Sequence, residues 1–207
     1  MGEENVLVTE ALLLFAAATA VIFVVVVTVE GARRPGYNAA YHTGSELELG
    51  PGGWIQRANF VLLSAGFAAA AIGVQRTLET TTGAALLGIA AVGLAMAAIF
   101  APDPVRGFPP GASSRTSRPV TLHAKIHDVS GPPLVLALLG ACVALAPRLA
   151  GPWAIYTLAT AVVGLGSTVW LIAAYRRDAA HTGIAQRALI ATYLLWITVL
   201  SLHLVAR

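Results

Sequence analysis

Charge is what this chain has least of. Among 207 residues there are 13 Lys or Arg and 10 Asp or Glu, so charged residues are 11% of the total against about 25% in soluble domains. Hydrophobic residues make up 57%, and the mean hydropathy is +0.75. A soluble protein of this size would lack the polar residues to cover its own surface. Disorder is excluded as well, because it requires low hydrophobicity and high charge. The pI near 9.4 invites a nucleic-acid reading, but the net charge is only +3. No stripe of Lys and Arg is long enough to follow a phosphate backbone. Cysteine is almost absent too. The single Cys142 lies in an apolar run, so no intrachain disulfide can form. A lone thiol there reads as packing. Aromatic residues are 7%, leaving few rings to stabilise a carbocation.

What is present in quantity is long apolar sequence. A bilayer core of about 30 Å needs roughly 20 apolar residues per helix. Six stretches qualify: 6–29, 58–75, 82–101, 121–147, 153–175 and 187–206. The expected fold is an all-α polytopic membrane protein, a single domain of six transmembrane helices without an internal repeat. The first stretch lacks a basic leader and is too long for a signal-peptide core, so it reads as a span.

The cations divide unevenly. Loops 30–57, 102–120 and 176–186, with their helix ends, carry Arg33, Arg34, Arg57, Arg106, Arg115, Arg118, Lys125, Arg176, Arg177 and Arg187. The other side has only Arg76, Arg148 and Arg207. The positive-inside rule places those three loops in the cytoplasm and both termini outside the cell membrane. Trp54, Trp153 and Tyr175 fall at span ends, as interfacial anchors do. Small residues four apart, such as Ala69 and Gly73 or Gly93 and Ala97, suit close helix packing in lipid.

Polar chemistry gathers on the same side. His42, His123, His127 and His181 lie there with Tyr41, Glu46, Glu48, Asp103, Asp128 and Asp178. In the fourth span His123 and His127 are four apart and project from one helix face, about 6 Å apart. That spacing suits two zinc ligands or two groups gripping one polar headgroup. A zinc site needs a third protein ligand, for which Asp103, His42 and His181 are the candidates. From Pro133 to Ala146 there are 14 residues, about 21 Å of helix and too short to span. Residues 121–131 must therefore enter the membrane, and Pro132-Pro133 predicts a broken fourth helix beside a wet pocket. Asp103, His123 and His127 are the candidate catalytic groups. Tyr41, His42, Glu46, Arg106, Lys125, Asp128, His181 and Arg187 are candidate substrate contacts.

The run Phe100-Ala101-Pro102-Asp103-Pro104-Val105-Arg106-Gly107-Phe108-Pro109-Pro110-Gly111, then Leu122-His123 and His127, resembles a family motif. It is the central motif of a bacterial and archaeal membrane family, the domain of unknown function 998. Leu49-Gly50 to Gly53 with Ala58-Asn59-Phe60, and Gly183-Ile184-Ala185-Gln186-Arg187 with Trp196, are similar to its flanking segments. Ala124 departs from it where glycine is expected. The resemblance implies six helices and a site near Asp103, His123 and His127, and it implies no reaction. At the level of the site alone, the spaced histidines and Asp103 are similar to those of alkaline ceramidases and adiponectin-type receptors, which hold zinc.

The expected function is a membrane-embedded enzyme acting on a lipid or isoprenoid. It would work by terpene-cyclase-like acid–base chemistry at Asp103, or by hydrolysis through zinc held by His123 and His127. The alternatives are a small-molecule carrier or channel, and a partner subunit without chemistry of its own. No nucleic-acid partner is expected.

Overall fold

The computed structural model describes residues 2–112 and 119–207. Arg115 and Arg118, used above to orient the chain, lie outside the described residues. The described residues form six long helices: α1 (Glu3–Arg33), α2 (Gly53–Leu78), α3 (Thr81–Ile99), α4 (Leu122–Leu145), α5 (Pro152–Arg176) and α6 (Thr182–Val205). All six are long and apolar enough to cross a membrane. Helix is the form such sequence takes in hydrocarbon, because every backbone N–H and C=O must be satisfied within the segment.

Local signals set the helix ends. Thr80 and Thr121 cap α3 and α4, their hydroxyls accepting from Gly83 N and Ala124 N at 3.3 and 3.2 Å. Pro152 opens α5 at a position where its missing N–H costs nothing. Glu79 closes α2 in the left-handed region, with φ 49°, which makes the turn into α3 very short.

The fourth helix differs from expectation. It runs without interruption from Leu122 to Leu145, with Pro132 and Pro133 inside it. The expected break is instead a local loss of hydrogen bonding. The two prolines have no N–H to offer the carbonyls of Asp128 and Val129 one turn earlier.

The helices follow one another round the bundle in chain order, and α6 closes the circuit against α1. The seam between α4 and α5 is the sparsest of the six. One continuous core runs through the bundle, with Leu13, Phe23, Phe67, Leu87, Leu145 and Trp196 almost wholly enclosed. Two of the small residues work as their spacing predicts. A Cβ on Gly73 would come within 2.6 Å of Leu13, and one on Gly93 within 2.8 Å of Leu134. Outward faces carry Val92, Leu136, Ile155 and Val162, as a lipid-facing surface does. The segments joining α1 to α2, α3 to α4 and α5 to α6 lie at one end of the bundle and are bonded to one another there.

Candidate functional site

The site is assembled on the first turns of α6. Gly183 lets the chain between α1 and α2 approach closely, since a Cβ there would meet the carbonyl oxygens of Ala39 and His42 at 2.5 Å each. Ile184 N donates to Ala40 O at 3.1 Å. Gln186 Oε1 accepts from Gly44 N at 2.6 Å. Arg187 Nη1 donates to Ala39 O at 2.6 Å and His42 O at 3.1 Å, and its Nη2 donates to the Tyr37 hydroxyl at 2.7 Å. Arg187, expected as a substrate contact, thus clamps the backbone of loop 1.

That clamp fixes a short 3-10 turn, Gly44–Glu48, which carries two buried carboxyls. Glu46 Oε2 accepts from Thr43 N at 2.6 Å, while its Oε1 has no partner. Burial pushes the Glu46 carboxyl above its ordinary range, against the opposing pull of the Thr43 N–H and the Arg106 charge. The Glu48 side chain is 0% exposed and neither oxygen has a hydrogen-bond partner. Arg57 Nε and His127 Nδ1 each lie 4.0 Å from it. Burial pushes this carboxyl up to about 8, and Arg57 only partly offsets that.

The segment between α3 and α4 is pinned from both ends. His42 Nδ1 accepts from Asn38 N at 2.8 Å, which leaves its Nε2–H to donate to Arg106 O at 3.1 Å. The Arg106 side chain is 5% exposed. Its guanidinium lies 5.1 Å from the Tyr41 ring centroid and 4.6 Å from that of Tyr175, and its Nε donates to Asp178 at 3.0 Å. Tyr41 also donates to Asp178, at 2.9 Å. Burial pushes the Asp178 carboxyl up, but the hydrogen bonds from Arg106 and Tyr41 and the Arg106 charge together outweigh it and hold the group below its usual range. Further along, Asp103 accepts from Thr121 N and from the Thr121 hydroxyl, both at 2.8 Å. Asp103 therefore ties this segment to the N-cap of α4.

Between these parts is a cavity of about 400 Å³. Its polar wall is formed by Thr43, Ser45, Glu46, Asp103, His127, Asp128 and Gln186. Its apolar wall is formed by Pro102, Val105, Val120, Ala124, Leu171 and Ile172. Residues from α4 and α5 face each other across it, so it lies at the sparse seam of the bundle. His127 has a fixed tautomer. Its Nδ1 is 2.7 Å from Phe100 O, and because a carbonyl can only accept, the proton is on Nδ1 and the Nε2 lone pair is left open.

The expected site residues thus separate. Glu46, Asp103, His127 and Asp128 line one cavity, while Tyr41, His42, Arg106 and Arg187 build the frame around it. His123, Lys125 and His181 are exposed and do not line it. The His123 ring meets Phe100 edge-on at 5.3 Å, and His181 stacks on Trp170 at 6.0 Å. The donor set does not suit zinc. Among the described residues no three His, Cys, Asp or Glu side chains converge, and a tetrahedral zinc site takes at least three protein ligands. Residues 113–118 contain none of those types.

Sequence reasoning did not single out Glu48, whose buried carboxyl lies 4.0 Å from His127, nor Gln56 and Asn59, which lie outside the cavity lining. Gln56 is 0% and Asn59 4% exposed, on the α2 face that continues into Leu63 and Phe67. Of the helical spacing 56, 59, 63 and 67, only Gln56 falls ahead of the expected span 58–75, where Trp54, Gln56 and Arg57 lower the hydropathy.

A family model described as Protein of unknown function (DUF998) matches residues 17–203, and the chain belongs to that family. No curated protein and no solved structure matches it.

Proposed function

We propose that this chain, as a member of that family, is a membrane-embedded enzyme acting on a lipid or isoprenoid molecule. The substrate enters sideways from the bilayer through the seam between α4 and α5. One observation carries this reading: a single cavity at that seam joins an apolar wall to a buried carboxyl with a free oxygen and an imidazole of fixed tautomer. The apolar part of the substrate lies along Val120, Leu171 and Ile172. Its polar end meets Glu46 Oε1 and His127 Nε2.

The residues divide the acid–base work. Glu46, its carboxyl raised above the ordinary range by burial, is the group that exchanges a proton with the substrate's polar end. His127 accepts a proton at Nε2 while Phe100 holds its ring in place. Asp103 positions α4, since both of its oxygens are engaged by Thr121. Tyr175 is the one aromatic among the lining residues, so proton transfer at a polar group suits the wall better than cyclisation through a carbocation. The continuous α4 removes the interrupted helix on which a carrier reading depends. The cationic loop end is assigned to the cytoplasmic face of the cell membrane and both termini to the outside.

The test is turnover by purified protein in liposomes containing mixed lipids and isoprenoid alcohols, followed by mass spectrometry. Conversion of one amphiphile that disappears in both Glu46→Gln and His127→Ala supports the enzyme. Substrate flux across the liposome membrane without conversion would replace it with a carrier.

A further inference from the structure

We infer that the cavity selects amphiphiles whose polar end donates hydrogen bonds and carries no negative charge, a hydroxyl or an ammonium group, and rejects phosphate and carboxylate headgroups. This rests on the reading that an amphiphile from the bilayer occupies the cavity.

The polar wall holds two acceptor atoms, Glu46 Oε1 and His127 Nε2, beside the hydroxyls of Thr43 and Ser45 and the amide of Gln186. Glu46 is 2% exposed, lines the cavity, and has one oxygen without a partner. His127 has its Nδ1 proton on Phe100 O at 2.7 Å, which leaves Nε2 as an acceptor. A headgroup that brings donors completes these atoms, and a buried acceptor left without a donor is costly.

Charge points the same way. Among the described residues the lining includes the carboxyls of Glu46, Asp103 and Asp128, and Arg176 as its only Lys or Arg. Arg176 is exposed at the end of α5. The buried cation nearby, Arg106, is not in the described lining; it lies between Tyr41 and Tyr175, with Nε bonded to Asp178 and Nη1 without a partner. A phosphate in the cavity would face carboxylates, and no described lining residue offers it a buried guanidinium. A hydroxyl meets Glu46 in either protonation state, because it can donate to the carboxylate or accept from the acid. An ammonium pairs with the carboxylate.

The experiment is competition in neutral-detergent micelles. Radiolabelled hexadecanol is bound to the purified protein and displaced by unlabelled hexadecanol, hexadecylamine or hexadecyl phosphate, three probes with one tail. The alcohol and the amine are expected to displace it at least about tenfold more strongly than the phosphate. Glu46→Gln keeps an acceptor oxygen and loses the charge, so it is expected to weaken the amine about tenfold and to leave the alcohol within about threefold. Phosphate binding as tightly as the alcohol overturns the selectivity and leaves the amphiphile site standing. An unchanged amine affinity in Glu46→Gln likewise overturns it. Saturable binding by none of the three probes overturns the amphiphile site itself, and the selectivity with it.

Discussion

Glu48 Oε1 lies 4.0 Å from His127 Nδ1, while the proton on that nitrogen is held by Phe100 O at 2.7 Å. The carboxyl is thus close enough to sense the imidazole but makes no hydrogen bond to it. Neither Glu48 oxygen has another partner, which is why burial raises it to about 8.

This has a consequence for stability. Free in the unfolded chain, the carboxyl titrates near 4.5; in the fold it titrates near 8. The folded state therefore binds the proton more tightly, and that contribution is complete below 4.5 and lost as pH rises through 8. Thermal unfolding in detergent is expected to show Tm falling between pH 5 and pH 8. Glu48→Gln should flatten the slope and raise Tm at pH 8. Because Glu46 is also raised by burial, some slope should persist. A slope unchanged in Glu48→Gln would contradict the assignment.

Asp103 is read as a positioning residue, so its substitution should track Thr121. Thr121→Ala removes the hydroxyl donor to Asp103 and the cap on Ala124 N, and is expected to lose turnover as Asp103→Ala does. Asp103→Asn keeps one acceptor oxygen and should retain more activity than Asp103→Ala. Full activity in Thr121→Ala, beside a dead Asp103→Asn, would return Asp103 to the chemistry itself.

Gly183 carries the approach of loop 1 to α6. Gly183→Ala places a Cβ 2.5 Å from two carbonyl oxygens, so loop 1 must move. A loss of roughly 2 kcal/mol or more is expected, together with weaker amphiphile binding, since Thr43, Ser45 and Glu46 shift with the loop. Denaturant titration and the displacement measurement check the two parts separately.

Arg106 should matter more than its ion pair does. Asp178 is 67% exposed, so Asp178→Ala is expected to cost under about 1 kcal/mol. Arg106→Lys removes the flat guanidinium between Tyr41 and Tyr175 and should cost more, on the order of 1–2 kcal/mol, although the charge remains. Equal costs for the two variants would show that the pair, not the stacking, holds the loops together.

The spans were legible because hydropathy over about 20 residues is a strong signal. Their edges were not. Helix α2 begins at Gly53 rather than 58, since Trp54, Gln56 and Arg57 lower the hydropathy of a turn whose buried face is polar. The side of the bundle that carries the site could be read from the placement of His and Asp. Which of them meet could not. His123 and His127 share a helix face, yet the first packs against the Phe100 ring from outside and the second lines the cavity. Glu46 and Glu48 lie in a 3-10 turn too short for any periodic pattern. Arg187 resembled a ligand group because its true partners are backbone carbonyls of a distant loop, which sequence does not display.

The most direct test of the account is to locate a bound amphiphile. Hexadecanol bearing a photoactivatable group in its alkyl chain would be cross-linked to the protein in liposomes, and the labelled residues mapped by mass spectrometry with and without excess hexadecanol. The account predicts labelling at Val120, Ala124, Leu171 and Ile172 that the competitor abolishes. Labelling confined to outward positions such as Leu136 and Val162, and indifferent to the competitor, would contradict it.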